Sequence, residues 1–398
     1  MRARLHRLER RARASALADA LKNALWRAFL SVMSAATWAS ATWRARRGET
    51  FETTIERRRR RLVNARGGAR TRARKTATAS MDGPAHLIAC AHGLAGTPED
   101  LRALERRVAA DGNALVHRLA CNAPLNSFDG VEAGAVRIVE ELREVVRANP
   151  SLRYLTLYGN SLGGIYARYA AGIMWEEKRD GTMLGLIPCT YLTTATPHLG
   201  VGPWGFFKLV PRALRYLWSK QLGRSIMELT LRDGEDGKLP LLARMADPET
   251  REPANFVAAL GSFKRRCAYA NATNDFLVSY ETASLHPEYL DSAQERAWRC
   301  LDEPQIVEEF ERDGEFAIEE TDSASWSTDE LALRRKMARG LRTLSWRHVN
   351  VSFPGPVPLA HNKICALQRN PYLASLFKEG EFIVDHQAEY LLASIRSV

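Results

Sequence analysis

The sequence of 398 residues predicts an α/β fold, with a mostly parallel central sheet and helices on both faces. From His86 onward, short apolar runs alternate with amphipathic helical patterns, and polar or glycine-containing turns separate them. Composition agrees: with 45% hydrophobic and 26% charged residues the chain can build a large core, which excludes collagen-like, mucin-like and wholly disordered classes.

The elements follow in order. A strand over His86–Ala91 runs into His92-Gly93-Leu94-Ala95-Gly96, and Thr97-Pro98-Glu99-Asp100 then supplies a helix start: a capping residue, a first-turn proline and first-turn acids. Next come a strand at 114–119, a helix at 131–147, a strand at 152–158 and a helix at 165–175. Later strands are expected at 266–271 and 347–353, and a final helix at 382–395.

Charge is unevenly placed. Residues 1–80 hold 21 Lys and Arg against 5 Asp and Glu, a net of +16, so the overall +11 leaves −5 for residues 81–398. A slightly acidic body gives no general attraction for phosphate, and specific nucleic-acid binding is not expected. Residues 1–80 read as a basic, disordered extension whose Arg, Ala and Ser content resembles a transit peptide for a plastid or mitochondrion. The alternatives are a cytoplasmic protein or peripheral membrane contact through that basic arm. The uncharged stretch 28–43 is shorter than a bilayer span. Residues 81–398 read as one catalytic-type domain with an apolar, lid-like insert at about 199–262. Six cysteines, Cys90, Cys121, Cys189, Cys267, Cys300 and Cys365, form no CxxC pair, which argues against a disulfide scaffold or zinc ribbon. No metal or organic cofactor is implied.

The chemistry concentrates at Gly159-Asn160-Ser161-Leu162-Gly163, set between a strand and a helix. This is the G-x-S-x-G nucleophile elbow of α/β-hydrolases, in which a sharp turn strains the serine backbone and any Cβ at the glycines would collide with neighbouring segments. A serine hydroxyl needs a base to activate it, and the oxyanion formed on attack needs preorganised donors. The amides of Leu162 and Leu94 are the candidate donors, the latter from the loop after the first strand. Acid and base should follow the serine in the order Asp, His, each just past a strand. Asp275 directly follows the strand 266–271, whereas Asp233, Asp236 and Asp247 have no strand before them. Among histidines beyond Asp275, His286 comes too early and His348 lies within a strand. His361, after the Pro354-Gly355-Pro356-Val357-Pro358 loop, is the expected base, with His386 in the final helix as the alternative. His92, Gly93 and His198, at the ends of two strands near the same sheet edge, are expected to line the substrate cleft. Trp204, Phe206, Phe207, Tyr216 and Trp218 suit either an acyl-chain cap or simple packing of the insert.

Several separated blocks, HLIACAHGLAGTPEDL, LTLYGNSLGGIYARYA, TTATPHLGV, FKRRCAYANATNDFLVSYETASL, MARGLRTLSWRHVNVSFPGPVPLAHNKI and FIVDHQAEYL, resemble the putative serine esterase family of lipase-like α/β-hydrolases from plants, fungi and protists. They cover roughly residues 85–395. The resemblance implies a carboxylic-ester hydrolase acting on lipids through a Ser-Asp-His triad. It carries over Ser161 and Asp275, and leaves His361 and His386 both within matching blocks. Asn160 stands where many lipases have His. The same triad would also serve an acyltransferase or thioesterase, and a hydrolase fold that only binds a partner is the third alternative.

Overall fold

A computed structural model describes residues 83–397 except 111, 112, 179, 203–222, 235–237, 252, 288–291, 315–328 and 356. The extension expected over 1–80 and the aromatic run Trp204 to Trp218 lie outside the described residues.

Among the described residues, seven strands form one sheet. They are β1 (His86–Ala91), β2 (Ala114–Arg118), β3 (Tyr154–Asn160), β4 (Ile187–Thr194), β5 (Arg265–Asn271), β6 (Gln305–Arg312) and β7 (Trp346–Ser352). Their order is β2-β1-β3-β4-β5-β7-β6. Every neighbouring pair is parallel except β6 with β7. Parallel neighbours require crossovers, and helices supply them. These helices are α1 (Arg102–Ala109), α2 (Val131–Ala148), α3 (Leu162–Lys178), α4 (Arg224–Leu229), α5 (Leu241–Ala246) and α6 (Phe256–Gly261). Then come α7 (Tyr280–Ala283), α8 (Ser292–Arg299), α9 (Glu330–Arg342), α10 (Ala360–Lys363), α11 (Pro371–Leu376) and α12 (Glu381–Arg396).

The period of two along a strand divides the core into layers. Leu87 and Ala89 of β1 face a cluster with Ile138 and Leu142 of α2 and Ile165 and Tyr169 of α3. Ile88 and Cys90 face the opposite cluster, with Leu104 of α1 and Ile383, Val384 and Leu391 of α12. Both faces being covered explains why β1 is apolar from Leu87 to Ala91; each large aliphatic side chain buried there contributes about 1.5 to 3 kcal/mol.

Three differences from the sequence reading have clear causes. First, β3 starts and ends two residues later than expected, because Gly159 and Asn160 still pair with Thr193 and Thr194 of β4. Second, β6 was not expected: its charged residues Glu308, Glu309, Glu311 and Arg312 belong to an antiparallel strand at the edge of the sheet, paired with β7 along one side. Third, the described part of the insert packs largely into the core. Leu242 and Met245 of α5 and Phe256 and Leu260 of α6 are buried in the same cluster as α3, and the Tyr169 and Phe256 rings lie 4.8 Å apart.

Candidate active site

Ser161 sits between the last residue of β3 and the first of α3, at φ 55°, in the left-handed region that costs a residue with a Cβ. Its backbone amide is fixed by the Thr194 carbonyl at 2.8 Å. The flanking glycines permit the turn: a Cβ on Gly159 would lie 2.4 Å from the Gly164 nitrogen, and one on Gly163 would lie 2.1 Å from the Ala91 carbonyl oxygen. The side chain of Ser161 is thereby aimed out over the carboxyl ends of the parallel strands.

Two further loops at that edge bring in the candidate acid and the candidate base. Asp275 follows β5, and His361 lies on α10 after β7; these two strands are neighbours in the sheet. An isolated antiparallel bridge pairs Asp275 with Leu359, and the Ala360 amide donates to the Asn274 carbonyl, so the loops are stitched to each other. His361 Nδ1 lies 3.0 Å from Asp275 Oδ2, and His361 Nε2 lies 3.0 Å from Ser161 Oγ. An ionised carboxylate only accepts, so Nδ1 carries the proton and Nε2 is left to accept from the serine hydroxyl.

The Asp275 carboxylate is itself held. Its Oδ1 accepts from the Leu277 and Val278 amides at 2.9 and 2.8 Å, and its Oδ2 accepts from Asn271 Nδ2 at 2.7 Å. With its side chain 2% exposed, the carboxylate is nearly dry. A chain of this form can take a proton from the hydroxyl and hold the resulting imidazolium beside a fixed negative charge.

A cavity of about 310 Å³ opens over Ser161 and His361. Leu94 and Leu162, the residues expected to supply oxyanion donors, line it together with Gly93. A Cβ on Gly93 would come within 2.8 Å of the Ser161 Cβ, so this loop passes directly beside the serine. The rest of the wall is mainly apolar, including Val201, Ile226, Leu229, Val278, Leu373 and Phe377.

The structure corrects three sequence expectations. His386, the alternative base, is not at this site: its Nδ1 lies 3.1 Å from the Tyr269 hydroxyl and its Nε2 3.6 Å from Glu309, toward the edge strand. His92 and His198 were expected in the cleft, but both rings point into the protein. His92 is 2% exposed, with Nδ1 2.9 Å from the Gly93 carbonyl oxygen, and burial pushes its pKa down. His198 is 1% exposed, with Nε2 3.0 Å from Thr193 Oγ1 and its ring edge-on to Trp346. Burial, then Arg168 and His348, drive its pKa well below the usual range, so it is a neutral core residue. Strand-end position placed both near the sheet edge but said nothing of ring direction.

Residues that the sequence reading passed over also shape the site. Asn271 orients the acid, as above. Asn274, at φ 58°, donates to the Phe353 and Gly355 carbonyl oxygens. Ser127 is fully buried and its Oγ accepts from the Ala95 amide at 2.8 Å, pinning the loop that carries Leu94. Two Asn residues around a candidate acid are a weak signal, since Asn is common in turns for local reasons. Ser127 gives none, being 32 residues from its partner.

Residues 81–286 match the family model described as "Putative serine esterase (DUF676)", a span of more than half the chain that includes Ser161 and Asp275. The chain belongs to this family. Curated relatives of this family member include "Putative lipase C4A8.10" of Schizosaccharomyces pombe, 23% identical over 219 residues, covering 53% of this chain and 27% of that protein. "Putative lipase ROG1" of Saccharomyces cerevisiae is 26% identical over 206 residues, covering 50% and 28%. The chain thus spans less than a third of the length of these relatives. Among solved structures, a Bacillus licheniformis lipase, BlEst2 in mature form, is 15% identical with a TM-score of 0.32, covering 50% of this chain and 70% of that one. The RedJ thioesterase of Streptomyces coelicolor is 15% identical with a TM-score of 0.31, covering 79% and 99%. Likenesses this distant carry no argument; the fold rests on the strand order and the elbow.

Proposed function

We propose that the protein is a serine carboxylic-ester hydrolase that cleaves acyl esters of lipids through an acyl-enzyme. The hydrogen-bonded chain Ser161–His361–Asp275, opening into a mostly apolar cavity, is the observation that supports this reading most strongly.

In the first half-reaction His361 Nε2 takes the Ser161 proton as Oγ attacks the ester carbonyl carbon. The Leu94 and Leu162 amides receive the oxyanion, and removal of one such donor typically costs about 10²- to 10³-fold in rate. Collapse expels the alcohol, which takes the proton from His361, and leaves the acyl group on Oγ. Water then attacks, gives its proton to His361, and the free acid departs as the proton returns to Ser161. Throughout, Asp275 keeps the imidazole in one tautomer and balances its transient charge. The apolar wall gives a hydrocarbon chain about 25 cal/mol for each Å² withdrawn from water, which favours acyl groups of lipid length over acetate.

The test is hydrolysis of nitrophenyl esters of graded chain length and of acylglycerols by the purified full chain beside Ser161→Ala. Chain-length-dependent turnover, abolished by Ser161→Ala, is expected. Equal inertness of both proteins across all chain lengths, with no labelling of Ser161 by a fluorophosphonate, would overturn the reading.

A further inference from the structure

We propose that Arg369 forms an anion subsite in the cleft, selecting esters whose alcohol portion carries a phosphate. The inference deepens the esterase reading and rests on it.

Among the described residues lining the cavity, Arg369 is the one Lys or Arg. Its Nε and one Nη2 hydrogen are committed to Asp100, at 2.8 and 2.7 Å from the two carboxylate oxygens. Asp100 is 4% exposed and is held in turn by the Thr97 amide, at the end of the loop that runs beside Ser161. The pair therefore fixes the plane of the guanidinium. It occupies one edge of the fork and leaves the Nη1 donors on the other, while the Arg369 side chain remains 40% exposed in the cleft wall.

A structural tie between the Thr97 turn and the 367–377 segment would be served by that one edge alone. Several apolar neighbours in the wall suit the acyl chain, and a planar donor edge held rigid among them suits a phosphate or carboxylate, which a guanidinium grips in two places. Asp100 tempers the net charge but lies on the far edge, so its main effect is orientation. The ligand expected is an acyl ester such as a monoacyl glycerol phosphate, in preference to the same monoacylglycerol without the phosphate.

The experiment compares 1-oleoyl-glycerol 3-phosphate with 1-oleoylglycerol, which differ only in the phosphate. For wild type, kcat/KM is expected to favour the phosphate ester, and Arg369→Gln should reduce the ratio of the two values about tenfold or more. Asp100→Asn keeps an oxygen for Thr97 and one guanidinium donor but sets its NH2 against the other, so it loosens the orientation of Arg369 and should lower the ratio by less than Arg369→Gln does. Because each ratio is internal to one protein, a general loss of fold or loop order cancels. A ratio equal in wild type and Arg369→Gln, or lowered alike by both variants, would reduce Arg369 to a structural tie and sink the proposal while leaving the esterase intact. Calorimetric titration of Ser161→Ala with the corresponding ether-linked glycerol phosphate and glycerol reads the subsite without chemistry. Tighter binding of the phosphate form, lost in Ser161→Ala/Arg369→Gln, upholds the subsite even if hydrolysis fails; equal affinities refute it.

Discussion

The side chain of Asn274 donates to the Phe353 carbonyl oxygen at 2.7 Å, and this contact joins the loop that carries Asp275 to the loop that leads to His361. A second bond to Gly355 and a backbone conformation at φ 58° complete the clamp. Asn274→Ala loses these two hydrogen bonds at about 1 kcal/mol each, together with an exposed one from Arg299 that contributes little, and adds a left-handed penalty of about 1 kcal/mol, so unfolding in urea should show a loss of about 2 to 3 kcal/mol. Asn274→Gly keeps the conformation and should lose less. If the clamp sets catalytic geometry, kcat falls in both variants while KM changes little; an unchanged kcat in Asn274→Gly would refute the positioning role.

The two late histidines should separate sharply. His361→Ala and Ser161→Ala are each expected to cost about 10⁴- to 10⁶-fold in kcat, because the members of such a unit act together. His386→Ala removes only a contact to Tyr269 and a distant Glu309, and should stay within a few-fold of wild type. Steady-state kinetics on one nitrophenyl ester decides this, and comparable losses in both variants would contradict the geometry.

Ser127 holds the loop that carries Leu94, the proposed oxyanion donor. Its Oγ accepts from the Ala95 amide and donates to the Pro124 carbonyl at 2.6 Å. Ser127→Ala leaves the Ala95 N–H without that acceptor, and a drop in kcat of about tenfold at little-changed KM is expected. A changed KM with normal kcat would place the effect in ground-state binding instead.

Stability should fall on the acid side. Burial lowers the pKa of His86 and His286 from the ordinary 6.5 to about 4, and that of His348 to about 3. The unfolded chain then binds protons below pH 6.5 while the folded one does not. The stabilising contribution of these neutral rings is therefore present above that pH and is lost as pH falls toward 4 and 3. Each ring can remove up to about 1.4 kcal/mol per pH unit in that window. Urea midpoints measured from pH 7.5 to 4.5 should decline steeply below about pH 6.5, and His348→Gln should flatten the slope. A flat profile across the range would argue against buried neutral histidines.

Much of the fold was legible because local pattern and global role coincide. The strand-turn-helix around Ser161 is dictated by glycines whose missing Cβ atoms the turn requires, and the Thr97 capping signal appears as the Thr97 to Asp100 hydrogen bonds. Legibility failed where a side chain's direction mattered. His92 and His198 stand at strand ends facing the site's edge, yet rotate into the core, and β6 hid behind Glu308, Glu309, Glu311 and Arg312, which read as a solvated loop.

Sequence alone determined the class of fold and the strained turn at Ser161. These depend on contacts between residues a few positions apart, which propensity and spacing record. Tertiary structure decided which histidine meets the serine, since His361 lies 200 residues from Ser161 and 86 from Asp275. The pairing of β5 with β7 and the bridge from Asp275 to Leu359 bring those loops together, and such long-range register leaves no mark on the neighbouring sequence.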